Sequence, residues 1–370
     1  MGLIGGGIHN VVYNGPMVTA RDLILQHGWN ATAYQILNPG IDHWFTPRRT
    51  AVVGYVRRRH AWVAAGAPVC RPDAIADVAA SFEREAARGS RRVCYVCAAE
   101  RLAEYARASP RHSVIAIGSQ PVWNPAQWPA IVRTESSLRA QLSRAANKGV
   151  RIQVWNARSS IGDDALWTLR KKWLATRPMP PMGFLVESPV LSAASTDRTV
   201  LVALRANLPV GYLVASPVPV RNGCLIEQIV RCPEAPNGTA ELLIDAAMGI
   251  LASQGRTYVT MGLVALSTQA QQAIDGNPMW IRLLMAWARA HGRRFYHFDG
   301  LERFRAKMAP QHWETIYAIA NEPHFSPATL WSMAAAFSGH SPLSMLARTL
   351  AAGVGREVAW LLNRRDSIPA

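Results

Sequence analysis

Residues 225–248, LIEQIVRCPEAPNGTAELLIDAAM, run from an apolar strand through a proline-bounded loop into a helix. At the loop, Asn237 or Thr239 can cap the helix, and Gly238 permits a backbone angle closed to other residues. The first amides of the helix are then placed to face an anionic group or a polarised carbonyl. An ordinary capped helix has the same signature. On the preceding strand Glu227 and Arg231 are four apart, so strict alternation puts both on one sheet face. Such a couple suits acid–base or oxyanion chemistry, the carboxylate orienting a hydroxyl or holding an ammonium and the guanidinium meeting a phosphate or oxyanion. A cross-strand ion pair with no chemical role is equally compatible with the spacing.

On either side of this stretch strands and helices alternate. Upstream are a helix capped at Thr19, strands at 51–56 and 61–69 around the basic turn RRRH, and a helix after Pro72. The strand VCYVC, a helix through Leu102 and Tyr105, and the strand SVIAIGS at 113–119 follow. The proline- and tryptophan-rich QPVWNPAQWP, 120–129, reads as a connector. A second series then runs through a basic helix at 135–148, the strand RIQVW, a helix at 162–176, and strands near 199–206, 209–216 and 223–231. It ends with the helix 239–254 and a strand at 256–263. The fold class expected is mixed α/β, with two lobes at 1–155 and 156–325 and a helical tail at 326–370. Leu343, Leu346, Leu350, Val354, Trp360 and Leu361 fall on apolar positions of that tail. It suits docking on the second lobe or contact with a membrane surface.

A chain of 370 residues exceeds the usual single-domain size. Its 49% hydrophobic and 17% charged residues exclude extended disorder. Forty Lys and Arg against 24 Asp and Glu leave +16. A polyanion or an anionic membrane surface is the partner this charge suggests, unless the arginines only solvate the surface. Arg139, Arg144, Lys148 and Arg151, continuing to Arg158, form a positive stretch fit for phosphate groups, or a solvated helix face.

Five cysteines, an odd number, point to a reducing compartment. Cys94 and Cys97 lie three apart on a strand, which turns them to opposite faces and argues against a shared metal. No metal or cofactor is expected. No basic n-region with a following apolar run opens the chain, and VLVALRANLPVGYLVASPVPV, 200–220, reads as two strands because Arg205 and turn residues interrupt it. The expected location is cytoplasmic, with peripheral contact at the inner membrane surface as an option. Ser267 lacks a GxSxG elbow, LIGGGIHN lacks a preceding strand for a dinucleotide loop, and His297 between Tyr296 and Phe298 reads as a buried or rim histidine.

The loop APNGT, VTMGLVALS at 259–267 with Gly262 and Ser267, and YHFDGLERFRAKMAPQHWETIYAI at 296–319 resemble the C-terminal catalytic domain of bacterial phosphatidylglycerol lysyltransferases. SLRAQLSRAANKGV at 137–150, the pair Gly183 and Phe184, and HGWNATAYQILNPGIDHWF at 27–45 extend the resemblance to roughly residues 18–322. It implies tandem N-acetyltransferase-like (GNAT) lobes, aminoacyl-tRNA as donor and a lipid hydroxyl as acceptor, without the transmembrane part of membrane-bound relatives. Carried onto this chain, the family's acid falls on Glu227 and its basic partner on Arg231. Relatives resemble Asp-Leu-Met-Arg there, with acid and base three apart, and a register on Gln228 is the alternative. The acid after the late tryptophan falls on Glu314, a candidate for the substrate amine or a structural ion pair. Asn237, Gly238, Thr239, Gly262, Ser267, Arg303 and Lys307 are the implied substrate-binding set. Acyl transfer from acyl-coenzyme A and non-catalytic lipid or RNA binding are the competing functions. PEAPNGTAE stands where coenzyme A binding calls for a Q/R-x-x-G-x-G/A turn.

Overall fold

Thr19 closes a reciprocal cap: its hydroxyl accepts from the Asp22 amide at 3.2 Å, and the Asp22 carboxylate accepts from the Thr19 amide at 2.9 Å. That fixes the start of helix α1 (Ala20–His27). The computed structural model describes residues 17–177, 181–192, 196–291 and 298–338. The tail positions from Leu343 onward, His297 and the opening LIGGGIHN lie outside them.

The strands of the first half are β1 (Asp42–Phe45), β2 (Val52–Arg57), β3 (Ala61–Ala65), β4 (Arg92–Ala98) and β5 (Ser113–Trp123). Those of the second are β6 (Val150–Trp155), β7 (Thr199–Arg205), β8 (Leu208–Val218), β9 (Gly223–Arg231), β10 (Tyr258–Thr260), β11 (Val264–Ala265) and β12 (His312–Ala320). The remaining helices are α2 (Ile75–Arg88), α3 (Glu100–Arg107), α4 (Trp128–Thr134), α5 (Ser136–Asn147), α6 (Ala157–Ser160) and α7 (Asp164–Ala175). Then come α8 (Thr239–Ser253), α9 (Gln271–Asp275), α10 (Met279–His291), α11 (Phe298–Ala306) and α12 (Pro327–Ser338).

The fold is a mixed α/β structure around one twisted sheet, ordered β1-β2-β3-β4-β12-β5-β10-β9-β8-β7-β6, with β11 also on β5. One wiring occurs twice. An antiparallel meander, β1-β2-β3 or β6-β7-β8-β9, is followed by a helix, α2 or α8, and then by a parallel strand, β4 or β10. Each half has apolar clusters on both faces. Val52, Ile115 and Ile117 pack on one side of the first half, and Val53, Phe82, Leu102 and Ala116 on the other. In the second half Leu201, Leu213, Ile244 and Met248 oppose Leu166, Val200, Val202 and Tyr212. β6, within residues 1–155, is the outer strand of the second half, and β12, within 156–325, lies between β4 and β5.

Two local expectations are corrected. β5 does not end at Ser119 but continues through the supposed connector to Trp123. Pro121 is tolerated because β11 pairs with Gly118 and Ser119 and β10 with Val122 and Trp123, leaving it between the two partners on that side. Burial of Trp123, whose indole donates to the Met308 carbonyl at 2.8 Å, holds the extension. The second concerns Cys94 and Cys97, which join the same apolar cluster. A register shift against β12 and a φ of +62° at Cys97 break the alternation of β4. Burial pushes the Cys97 thiol up to about 12, so it stays protonated and unreactive.

Candidate active site

Glu227 sits where β9 bulges. Val214 pairs with Gln228 and Ala215 with Ile226, leaving Glu227 as the extra residue. The bulge breaks the alternation that placed Glu227 and Arg231 together, and Glu227 pairs instead with Arg198, just ahead of β7. Arg198 Nη2 and Nε donate to Glu227 Oε2 at 3.1 and 3.2 Å. Asn38 Nδ2 and Gln35 Nε2 donate to Oε1 at 2.7 and 3.3 Å, and the Ser216 hydroxyl donates to Oε2. Arg198 Nη2 also donates to Asn38 Oδ1 at 2.5 Å. Both side chains of the ion pair are only 2% exposed. Every donor needed to hold this carboxylate is therefore inside the protein, and the cluster clamps the segment 35–38 of the first half onto β8 and β9 of the second. Arg231 is exposed and donates to the Ala235 carbonyl at 3.4 Å. Gln228, the alternative register, accepts from the Tyr212 hydroxyl at 3.0 Å.

The start of α8 also differs from expectation. Gly238, with φ +93°, is the cap residue, and neither Asn237 nor Thr239 caps with its side chain. Thr239 is fully buried and its hydroxyl donates to the Pro236 carbonyl at 2.6 Å. A Cβ on Gly238 would lie 2.0 Å from the Gln141 carbonyl oxygen, so α5 closes over the helix start. Ser267 is buried and caps the turn at Thr268–Ala270, with its hydroxyl 3.3 Å from Glu302. Gly262 accepts from Arg305 at 2.8 Å, Lys307 pairs with Glu241 at 2.9 Å, and Arg303 donates to the Asp299 carbonyl at 3.1 Å. Arg139, Arg144, Lys148 and Arg151 are all exposed. Arg139 donates to the Val132 carbonyl at 3.2 Å, and Arg144 to Gln141 at 3.5 Å.

An open cleft, about 660 Å³ in volume, lies elsewhere. Trp29, Val122, Arg221, Tyr258, Gln311 and His312 are among its walls, and none of Glu227, Arg231, Asn237, Gly238 or Thr239 is. Glu314, on β12 behind that wall, is the sequence-derived candidate that touches it. Arg221 Nη1 donates to Glu314 Oε2 at 2.9 Å, and Nη2 to Oε1. Gln120 Nε2 donates to Glu314 at 2.8 Å and to the Tyr258 hydroxyl at 3.0 Å, while the Tyr258 hydroxyl lies 3.4 Å from Glu314. His312 Nε2 lies 3.5 Å from Glu314 Oε1.

The chain builds this wall from the turn between β8 and β9. Pro219–Arg221 forms a short 3-10 turn that ends at Asn222, φ +46°. The Val220 amide donates to the Gly28 carbonyl at 3.1 Å, which slides the turn beneath Trp29. The Arg221 guanidinium consequently stacks 3.6 Å from the Tyr258 ring centroid and 5.0 Å from that of Trp29. On Trp29 a second cation, Arg101, sits at 4.1 Å. Burial pushes the Glu314 carboxyl up, but the Arg221 bonds and charge, with Gln120 and His312, outweigh it and hold it below the usual range. Burial lowers Arg221 in turn, and Glu314 and Tyr258 more than restore it. Burial raises the Tyr258 phenol, which stays neutral. Arg221, Tyr258, Trp29, Gln120 and His312 escaped the sequence reading. Trp29 and His312 lie inside motifs quoted above, and the Asn-Gly turn at 222–223 marks Arg221 only once its docking on Gly28 is known.

The sign of the pH response follows. A glutamate depressed in the folded state contributes stability that is full above its ordinary pKa, about 4.3, and that is lost as pH falls through its lower folded value. The stability gap between the wild type and Glu314→Gln is expected to be constant from pH 7 to 5 and to shrink below about 4. Thermal melts at pH 7, 5 and 3 check it.

With the cleft defined, the comparisons place the chain. Residues 21–320 match the family model described as phosphatidylglycerol lysyltransferase, C-terminal, and the chain belongs to that transferase family. It shares its fold with a structure assigned as the C-terminal domain of a lysylphosphatidylglycerol synthetase from Agrobacterium fabrum. There the TM-score is 0.69 and identity 21%, covering 86% of this chain and 96% of that one. L-PGS from Bacillus licheniformis gives TM-score 0.69 and 17% identity over 90% of this chain and 95% of its own. FemX gives TM-score 0.53 and 8% identity over 83% and 96%. No curated protein matches the sequence. Among the described residues, no helix is long and apolar enough to cross a membrane.

Proposed function

We propose that the chain moves an aminoacyl group from aminoacyl-tRNA to a hydroxyl of a lipid such as phosphatidylglycerol, and that the two substrates meet at the Arg221 cleft. The observation that carries this reading is a guanidinium set in an open cleft wall, flanked by two aromatic faces and locked from behind by Glu314. Family membership supplies the reaction class. Ester-to-ester transfer is nearly balanced, so catalysis rests on positioning and on support for the tetrahedral oxyanion. The acceptor oxygen bonds to the ester carbonyl carbon, the bond to the tRNA ribose breaks, and the acceptor's proton passes to the departing ribose oxygen. Arg221 faces the developing oxyanion, Glu314 orients Arg221, and His312 carries the proton across. The covering of α8 by Gln141 speaks against a coenzyme A pyrophosphate at that helix start.

The exposed face with Arg139, Arg144, Lys148 and Arg151 takes the tRNA phosphates in this reading. The repeated sheet wiring supports two acetyltransferase-like lobes, with β12 completing the first. The enzyme works on the cytoplasmic side, in peripheral contact with the membrane. Incubation with charged tRNA and phosphatidylglycerol vesicles should yield a labelled aminoacyl lipid whose formation ribonuclease prevents. Lipid labelling independent of tRNA would refute the donor. Arg144→Glu with Lys148→Glu should weaken tRNA binding at least tenfold at low salt and flatten its salt dependence, as filter binding across 50–200 mM salt can show.

A further inference from the structure

The side of the molecule formed by α10 carries an unusual surface. Met279, Leu283 and Trp287 are 63%, 64% and 62% exposed, and Trp280 and Leu284 39% each. At roughly 100° per residue these five fall within an arc of about 140°. The opposite side of the helix is fastened to the body. Ile281 is buried among Ile316, Phe325 and Ala336, Met285 packs on that cluster, and Arg289 donates to the Leu266 carbonyl at 2.9 Å and to Asp299 at 3.2 Å. The exposed apolar arc is therefore a fixed outward face of a docked helix. Val186 and Trp331, sequence neighbours of Leu185 and Leu330 in the same cluster, are exposed as well.

We infer that this face of α10 is the surface by which the protein lies on an anionic lipid bilayer. The chemistry of the segment selects that occupant. MWIRLLMAWARAHGRR, residues 279–294, carries four arginines and no acid; Arg289 is paired inward with Asp299 at 3.2 Å and Arg282 lies 4.0 Å from Asp275, and the whole chain carries +16. Tryptophan and leucine on one arc with Arg282 at its edge match the boundary between headgroups and acyl chains, where an indole ring sits with its apolar body in and its N–H toward water. A second protein copy presenting the same face would set like charges together. Anionic headgroups neutralise them. The inference deepens the lipid-acceptor reading, since docking would hold the protein at the surface where such an acceptor resides, while the docking itself stands or falls by binding alone.

The test is co-sedimentation of the full chain with vesicles of zwitterionic phosphatidylcholine, with and without 30% phosphatidylglycerol, for the wild type and for a Trp280→Ser, Leu283→Ser, Leu284→Ser variant. Expected are binding of the wild type to the anionic vesicles at least tenfold tighter than to the zwitterionic ones, and at least tenfold weaker binding by the variant. The substituted side chains are partly or largely exposed, so the variant's melting temperature should stay close to wild type. Equal binding by the two proteins, equal binding to both vesicle types, or sedimentation of the wild type as a dimer that the variant loses would each overturn the inference. Aminoacyl transfer to a short-chain, water-soluble phosphatidylglycerol separates the two readings: the variant should keep it. Absence of such transfer in the wild type counts against the function, and leaves the vesicle result to decide the docking.

Discussion

Arg221→Ala should lower the turnover number for aminoacyl transfer by about 10²–10³-fold while the protein stays folded, the loss expected when one preorganised donor to an oxyanion is removed. Arg221 is fixed by its surroundings. Its guanidinium is held in the cleft wall by two bonds to Glu314 and stacked on Tyr258, so its position is set before substrate arrives. Arg221→Lys keeps the charge but gives up the two-pronged grip on Glu314, and an intermediate loss is expected. Glu314→Gln leaves the guanidinium in place with a weaker anchor, and a smaller fall in turnover should result. Single-turnover kinetics at saturating charged tRNA separate this from weaker binding: a change confined to KM would mean that Arg221 serves binding and not the chemical step.

Glu227→Ala is the second large effect, and it is one of stability. The substitution strands the Arg198 guanidinium, 2% exposed, without its carboxylate. An uncompensated buried charge costs about 3–5 kcal/mol. Urea unfolding should show that loss, and Arg198→Met combined with Glu227→Met should recover much of it, since a buried pair replaced by apolar groups of similar size is often neutral. A Glu227→Ala protein with wild-type stability and no turnover would instead return Glu227 to the catalytic role that its place in the sequence suggested.

These two carboxylates show how far the sequence could be read. Elements with local signals were legible: the Thr19 cap stands where capping chemistry puts it, and the strand ending at Arg231 and the helix opening at Thr239 stand where spacing puts them, although Gly238 and not a side chain caps that helix. Glu314 was legible as an acidic position of interest. What stayed hidden depended on one extra residue in a strand or on contacts between distant segments. The bulge at Glu227 leaves no mark in the alternation of LIEQIVR, yet it decides which arginine the carboxylate meets. Arg198 and Asn38 stand 160 positions apart, and Arg221 and Glu314 stand 93 apart. No local pattern links such pairs. β5 was cut short for a related reason: Pro121 reads as a break until the gap between its two strand partners is seen.

The placement of β12 bears on how the molecule comes into being. Residues 312–320 fill the slot between β4 and β5, so the sheet begun by the first hundred residues waits for a strand synthesised some two hundred positions later. Pairings that distant form slowly, because a long loop must close before any bond rewards it. On the ribosome the early strands would stand with an open seam until the late one emerges, a period in which a chaperone or a foreign strand can occupy the gap. Shortening the chain before residue 312 should therefore cost solubility in the amino-terminal part, far in sequence from the cut.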